Sequence, residues 1–219
     1  MMKARFIVLG LLLMAAVSAA IAHAWPQLPE VVAVHWNWRG EADGFAPRAV
    51  LWLLGPGLMA FIMLLAVLLP PLSPRDRGVA SFEATYYYNF GIVLVLLAYV
   101  QGLVLASAIG MAVPIDRTVP AGLFVMLILA GNPMGKVRRN FYLGIRTPWT
   151  LSSERVWYAT HRFAARLMVG SGLLGLGMLA AGVPGWLLLA PAIAWAPVAV
   201  LYSLVQYKRL DIHSQGEAQ

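Results

Sequence analysis

Six apolar stretches divide this chain, at residues 6–24, 50–72, 88–113, 119–134, 167–183 and 186–207. Each reaches or approaches the ~20 residues that an α-helix needs to cross a bilayer. That pattern leaves few folds open. It predicts an all-α, polytopic membrane protein with one membrane domain of six transmembrane helices, an outer loop at 25–49 and a cytoplasmic loop at 135–166. Only 11% of the residues are charged and 61% are hydrophobic, whereas soluble domains run near 25% charged.

The positions of the charges orient the chain. Lys3, Arg5, Arg75, Arg77, Lys208, Arg209 and the seven basic residues of the 135–166 loop fall on one side, thirteen in all, against Arg39, Arg48 and Arg117 on the other. Loops rich in Lys and Arg stay in the cytoplasm, so both termini are placed there. The same positions, at the ends of spans, argue against direct nucleic-acid binding despite a net charge of +7. The basic start, apolar run and Ala22-His23-Ala24 also describe a signal peptide, but 19 apolar residues suit a first span better than an h-region of ~7–15. Without cysteine, the chain has no disulfide, thiolate metal site or cysteine nucleophile.

The most polar segment runs over 131–166 and holds Lys136, Arg138, Arg139, Arg146, Arg155, Arg162 and Arg166 together with Asn132, Asn140, His161, Trp149 and Trp157. Pro133 disfavours helix at the residue before it, which predicts a break or kink at Gly131-Asn132. Ser152 or Ser153 is placed to cap a following helix, with Glu154 in its first turn complementing the dipole. At ~100° per residue, Trp157, Thr160, His161 and Ala164 share one face while Arg155, Arg162 and Arg166 point away. The plain account is an interfacial amphipathic helix before span five. It leaves the two asparagines and the compact Gly144-Ile145-Arg146-Thr147-Pro148-Trp149 turn unexplained.

Other patterns resolve blandly. Gly170-Ser171-Gly172-Leu173-Leu174-Gly175 satisfies GxGxxG but lies in an apolar span, without the strand and acidic residue of a dinucleotide site. Ser171 with Gly175, and Gly177 with Ala181, read instead as small-residue pairs for close helix packing. His35, Glu41 and Asp43 in the outer loop match no metal-ligand spacing. No cofactor and no metal is assigned. Gln101, near the middle of span three, is expected to face other helices.

Taken together, Gly131, Asn132, Asn140, Gly144, Arg146, Thr147, Pro148, Trp149, Thr150, Glu154, Trp157, Thr160, His161 and Arg162 resemble the signature region of the SdpI family, immunity proteins against the sporulation-delaying killing peptide. The outer loop resembles the small domain of unknown function that often precedes it, through Leu28-Pro29, His35-Trp36, Gly40, Asp43-Gly44 and Arg48, with Ala33 where relatives often carry proline. The resemblance implies a bacterial inner-membrane protein that protects its host from a membrane-active peptide toxin on the outer face. It further implies a cytoplasmic helix-turn-helix repressor held at the membrane. The functional cluster it implies is Asn132, Asn140, Arg146, Thr147, Trp149, Trp157, Thr160, His161 and Arg162, with His35, Trp36, Gly40, Asp43 and Arg48 outside. Asn132-Pro133 is the element that would pass a message between the two faces.

Two other classes compete. A membrane enzyme acting on lipid or peptide would use His161 as base and Arg146 to hold an anion, but the spans carry no carboxylate and no HExxH is present. A small transporter would account for the broken span four and Gln101, yet no internal repeat or intramembrane charge accompanies them.

Overall fold

The structure is a computed structural model that describes residues 1–73 and 78–216, with side chains through 210. The turn at Arg75, Asp76 and Arg77 lies outside the described residues. Among the described residues, six helical segments are long and apolar enough to cross a membrane: Met2–Gln27, Val50–Leu72, Ala80–Ala108, Ile115–Lys136, Glu154–Ala180 and Gly185–Leu210. Leu9, Leu12, Phe61, Leu64, Leu173, Leu174, Ile193 and Leu201 face outward. An exterior of this kind belongs to a multi-pass protein whose solvent is lipid.

Helix α1 (Met2–Ala24) packs along α4 (Glu83–Ala108), and α4 packs on α5 (Ile115–Gly131). The second span is α2 (Val50–Trp52), a π-helical turn at Leu53–Gly57 and α3 (Leu58–Leu68). Pro56 sits inside that turn and has no N–H to continue the α-helical ladder, which accounts for the bulge. Gln101 is buried against it: a Cβ on Gly55 would stand 3.0 Å from its side-chain carbonyl carbon.

The C-terminal half is built on α5 and α7 (Glu154–Ala180), the most extensive helix pair, with α8 (Leu189–Gly216) against α7. Glycines set that approach. A Cβ on Gly131 would lie 2.7 Å from Met168 Cβ, one on Gly172 would lie 2.7 Å from the Phe124 carbonyl, and one on Gly175 would overlap the Phe124 ring. The working pair is therefore Gly172 and Gly175. Gly177 and Ala181 are exposed and Ser171 is only half-buried, so of the residues paired by spacing Gly175 is the one at the contact.

Several boundaries differ from the apolar runs. α4 begins at Glu83 because Tyr86, Tyr87 and Asn89 are buried in its first turns. α5 begins at Ile115, which takes Asp116 and Arg117 into its first turn. The amphipathic segment and span five form one continuous helix, capped by Ser153, whose side chain accepts from Val156 N–H.

The loop at 25–49 folds into an antiparallel hairpin of β1 (Val31–Trp36) and β2 (Ala42–Pro47). Asn37 builds its turn: the side-chain oxygen accepts from the N–H groups of Arg39 and Glu41 at 2.9 and 3.1 Å, and Gly40 supplies the positive φ of 77°. The tip rests on the bundle, where a Cβ on Gly40 would lie 3.1 Å from Asp116 Cβ and one on Gly185 would lie 2.7 Å from the Trp38 carbonyl.

Candidate functional site

α5 ends at Gly131, where the break was expected, and a 3-10 turn at Met134–Lys136 leads into the loop. Asn140 organises the first part of that loop. Its amide donates to the carbonyls of Arg138 (2.7 Å) and Leu143 (3.1 Å), and its oxygen accepts from the N–H groups of Tyr142 (2.7 Å) and Leu143 (2.8 Å). All four hydrogen-bonding positions of the side chain are used, which is why an asparagine can be wholly buried here.

Downstream, the Ile145 N–H donates to His161 Nε2 at 3.0 Å, and His161 Nδ1 lies 2.8 Å from the Trp157 carbonyl. The backbone partners fix the chemistry: Nε2 must accept and Nδ1 must donate, so the imidazole is the neutral Nδ1–H tautomer. It stacks on the Trp157 indole with centroids 4.0 Å apart, and both rings are fully buried. Gly144 makes the approach possible. Its φ of 109° belongs to glycine, and a Cβ there would overlap His161 Nε2.

The short helix α6 (Pro148–Ser152) closes the loop. Thr147 caps it, accepting from Thr150 N–H at 3.2 Å, and buried Thr150 donates to the Ile145 carbonyl at 2.8 Å. Pro148 occupies the first helical position, where its missing N–H costs nothing. Two indole N–H groups tie the loop to the bundle, Trp157 to the Val137 carbonyl (2.7 Å) and Trp149 to Ser203 Oγ on α8 (2.6 Å).

The cations divide by role. Arg146 donates to the Phe141 carbonyl and so braces the turn, while Arg139 donates to the carbonyls of Leu151 and Ser152 at the end of α6. Arg138 donates to the Tyr158 hydroxyl at 2.6 Å. Arg155, Arg162 and Arg166 are exposed, opposite the buried face of Trp157, Thr160, His161 and Ala164. The Thr160 hydroxyl has no hydrogen-bond partner among the described residues. Asn132, grouped with this cluster by the resemblance, stands apart from it: its side chain is exposed and makes no hydrogen bond to the loop among the described residues.

In the hairpin, His35 Nδ1 pairs with Asp43 Oδ1 at 2.5 Å, and the Asn37 amide donates to Glu41 Oε2 at 2.8 Å. Gly44 faces His35 so closely that a Cβ would lie 2.7 Å from His35 Cβ. Arg48 donates to the carbonyls of Trp25 and Leu28 and covers the Trp25 ring at 4.7 Å, so it anchors the hairpin's base. Trp36 is half-buried, whereas Trp38 and Phe45 are exposed. Ser203 was not anticipated. Its one signal is that no other Ser or Thr stands in the apolar run 186–207, and only the fold brings it to Trp149.

Comparison with known proteins places these elements. Residues 136–203 match the SdpI/YfhL protein family, and residues 11–60 match a domain of unknown function (DUF1648). The chain is 29% identical over 147 residues to Immunity protein SdpI of Bacillus subtilis (strain 168), covering 67% of this chain and 68% of the relative. No solved structure matches.

Proposed function

We propose that this chain, whose residues 136–203 match the SdpI/YfhL protein family, is a membrane immunity protein protecting its host from a membrane-active peptide toxin. One observation carries the reading. The family match at 136–203 coincides with the segment whose polar side chains are tied together through Asn140, His161, Thr150 and Trp149. A loop held this firmly presents its exposed cations in a fixed array, as a docking surface requires.

The hairpin is the receiving face. Exposed Trp38 and Phe45 flank Glu41 and Asp43, which suits an amphipathic peptide with cationic groups. On the other face, Lys136, Arg146, Arg155, Arg162 and Arg166 offer an acidic patch of a repressor complementary charge. The membrane-enzyme alternative is disfavoured by the geometry: both nitrogens of His161 are engaged, leaving no lone pair for a base.

The test is survival. The chain is expressed in a Bacillus subtilis strain lacking its immunity protein and challenged with the sporulation-delaying killing peptide. Protection is expected, reduced by the paired substitution Trp38→Ala and Phe45→Ala without loss of membrane insertion. An inserted wild-type chain that gives no protection, while the relative protects in parallel, refutes the reading.

A further inference from the structure

An apolar cleft of about 500 Å³ runs along the outside of the bundle between α1 and α4. Phe6 and Leu9 line it from α1, Gly91 and Val95 from α4, and Leu129 of α5 closes one side. A smaller cleft, of about 250 Å³, lies on the other flank of α4 and shares Ile92, Val95 and Leu129 with the first. The two adjoin and straddle one helix. Their walls are hydrocarbon and aromatic ring except at one end, where Arg5 lines the larger cleft beside Tyr88. Arg5 is exposed and makes no ion pair among the described residues. Exposed Lys3 adds a second positive charge at the same end.

We infer that this groove is a binding site for one anionic phospholipid from the leaflet at the Met2 end of α1. The phosphate sits on the Arg5 guanidinium, whose planar donors match phosphate oxygens, and the acyl chains lie in the two clefts on either side of Val95. Charge selects this occupant. A second copy docked through the same face would bring two Arg5 and two Lys3 side chains to one membrane level, like charge against like. An anionic amphiphile answers both the isolated cation and the apolar walls.

Glycines allow a clean test. A Cβ on Gly91 meets nothing within 4 Å, so Gly91→Leu starts from open space and projects into the cleft that Gly91 lines. Gly102 on the same helix is equally open and lies outside both clefts, so Gly102→Leu is the matched control. The full chain is reconstituted in nanodiscs of equal phosphatidylglycerol and phosphatidylcholine, extracted in mild detergent, and its retained lipid measured by native mass spectrometry. Wild type and Gly102→Leu should retain phosphatidylglycerol about five-fold over phosphatidylcholine. Arg5→Gln should bring the ratio to parity with total lipid preserved, and Gly91→Leu should lower total retained lipid several-fold. Val95→Phe, at a residue common to both clefts, blocks the groove independently should Gly91→Leu fail to insert. The inference is overturned by a wild type without anionic preference, or by blocked variants that retain lipid as before. A cross-linkable dimer abolished by Gly91→Leu would also overturn it, because the groove would then belong to a second copy.

Discussion

The indole of Trp149 donates to Ser203 Oγ at 2.6 Å, and Ser203 in turn donates to the Val200 carbonyl at 2.6 Å. This joins the loop to a span that begins more than thirty residues later. Ser203→Ala should leave the indole N–H without its partner and cost about 1–3 kcal/mol. Thermal unfolding in detergent would measure it. An unchanged melting temperature would mean that the loop does not depend on α8.

Gly144 and His161 should fail together. Gly144→Ala forces a Cβ onto His161 Nε2 at a φ of 109°, combining strain with a lost hydrogen bond. His161→Phe keeps the ring but strands the Ile145 N–H and removes the second bond to the Trp157 carbonyl. Each should lower stability by about 2 kcal/mol or more and abolish protection. In wild type, imidazole nitrogen NMR shifts should report a protonated Nδ1 and a bare Nε2.

The loop arginines should separate into two groups. Arg146→Lys loses the planar fork that braces the Phe141 carbonyl and should abolish protection at normal expression. Arg155→Lys, Arg162→Lys and Arg166→Lys keep exposed charge and should be mild, each such contact with anionic lipid contributing only about 1 kcal/mol. A survival assay on the four variants decides it. Identical behaviour would reduce the segment to an amphipathic helix.

Gln101 carries a buried amide nitrogen without a hydrogen-bond partner among the described residues. Gln101→Met fills a similar volume and removes that group. Melting temperature should therefore hold or rise, since an unsatisfied buried donor costs about 1–3 kcal/mol. A clear fall would show that the amide has a partner in the membrane.

Orientation is open to direct measurement. A reporter fused after Gln219 should behave as cytoplasmic, and one inserted near Glu41 as external. An external C-terminus would reverse the placement of the basic loop and of the hairpin.

Much of the architecture was legible because membranes make length informative: an apolar run near 20 residues has one stable form in hydrocarbon. The buried face of α7 was legible too, since Trp157, Thr160, His161 and Ala164 recur at helical spacing. The interior of the loop was not. The four bonds of Asn140 reach neighbouring backbone groups, and backbone groups carry no sequence signal. Spacing also misled in part at the glycines, because it shows which residues share a helix face but not which face meets α5. Asn132 misled in another way. The Asn-Pro pair marks the break correctly, yet the side chain is exposed and apart from the loop cluster.

The backbone contact of α5 with α7 bears on the order of assembly. Twenty-two residues separate Gly131 from Glu154, and closing a flexible loop of that length carries an entropic cost that grows as (3/2)RT ln n. Gly131, Gly172 and Gly175 let the two helices zip within the bilayer, which meets that cost before any loop hydrogen bond forms. Asn140 and His161 then search only local arrangements between anchored ends. The polar loop should thus fold late, complete only when the sixth span has brought Ser203 to Trp149, and should be the first to open under denaturant while the helix pair beneath it holds.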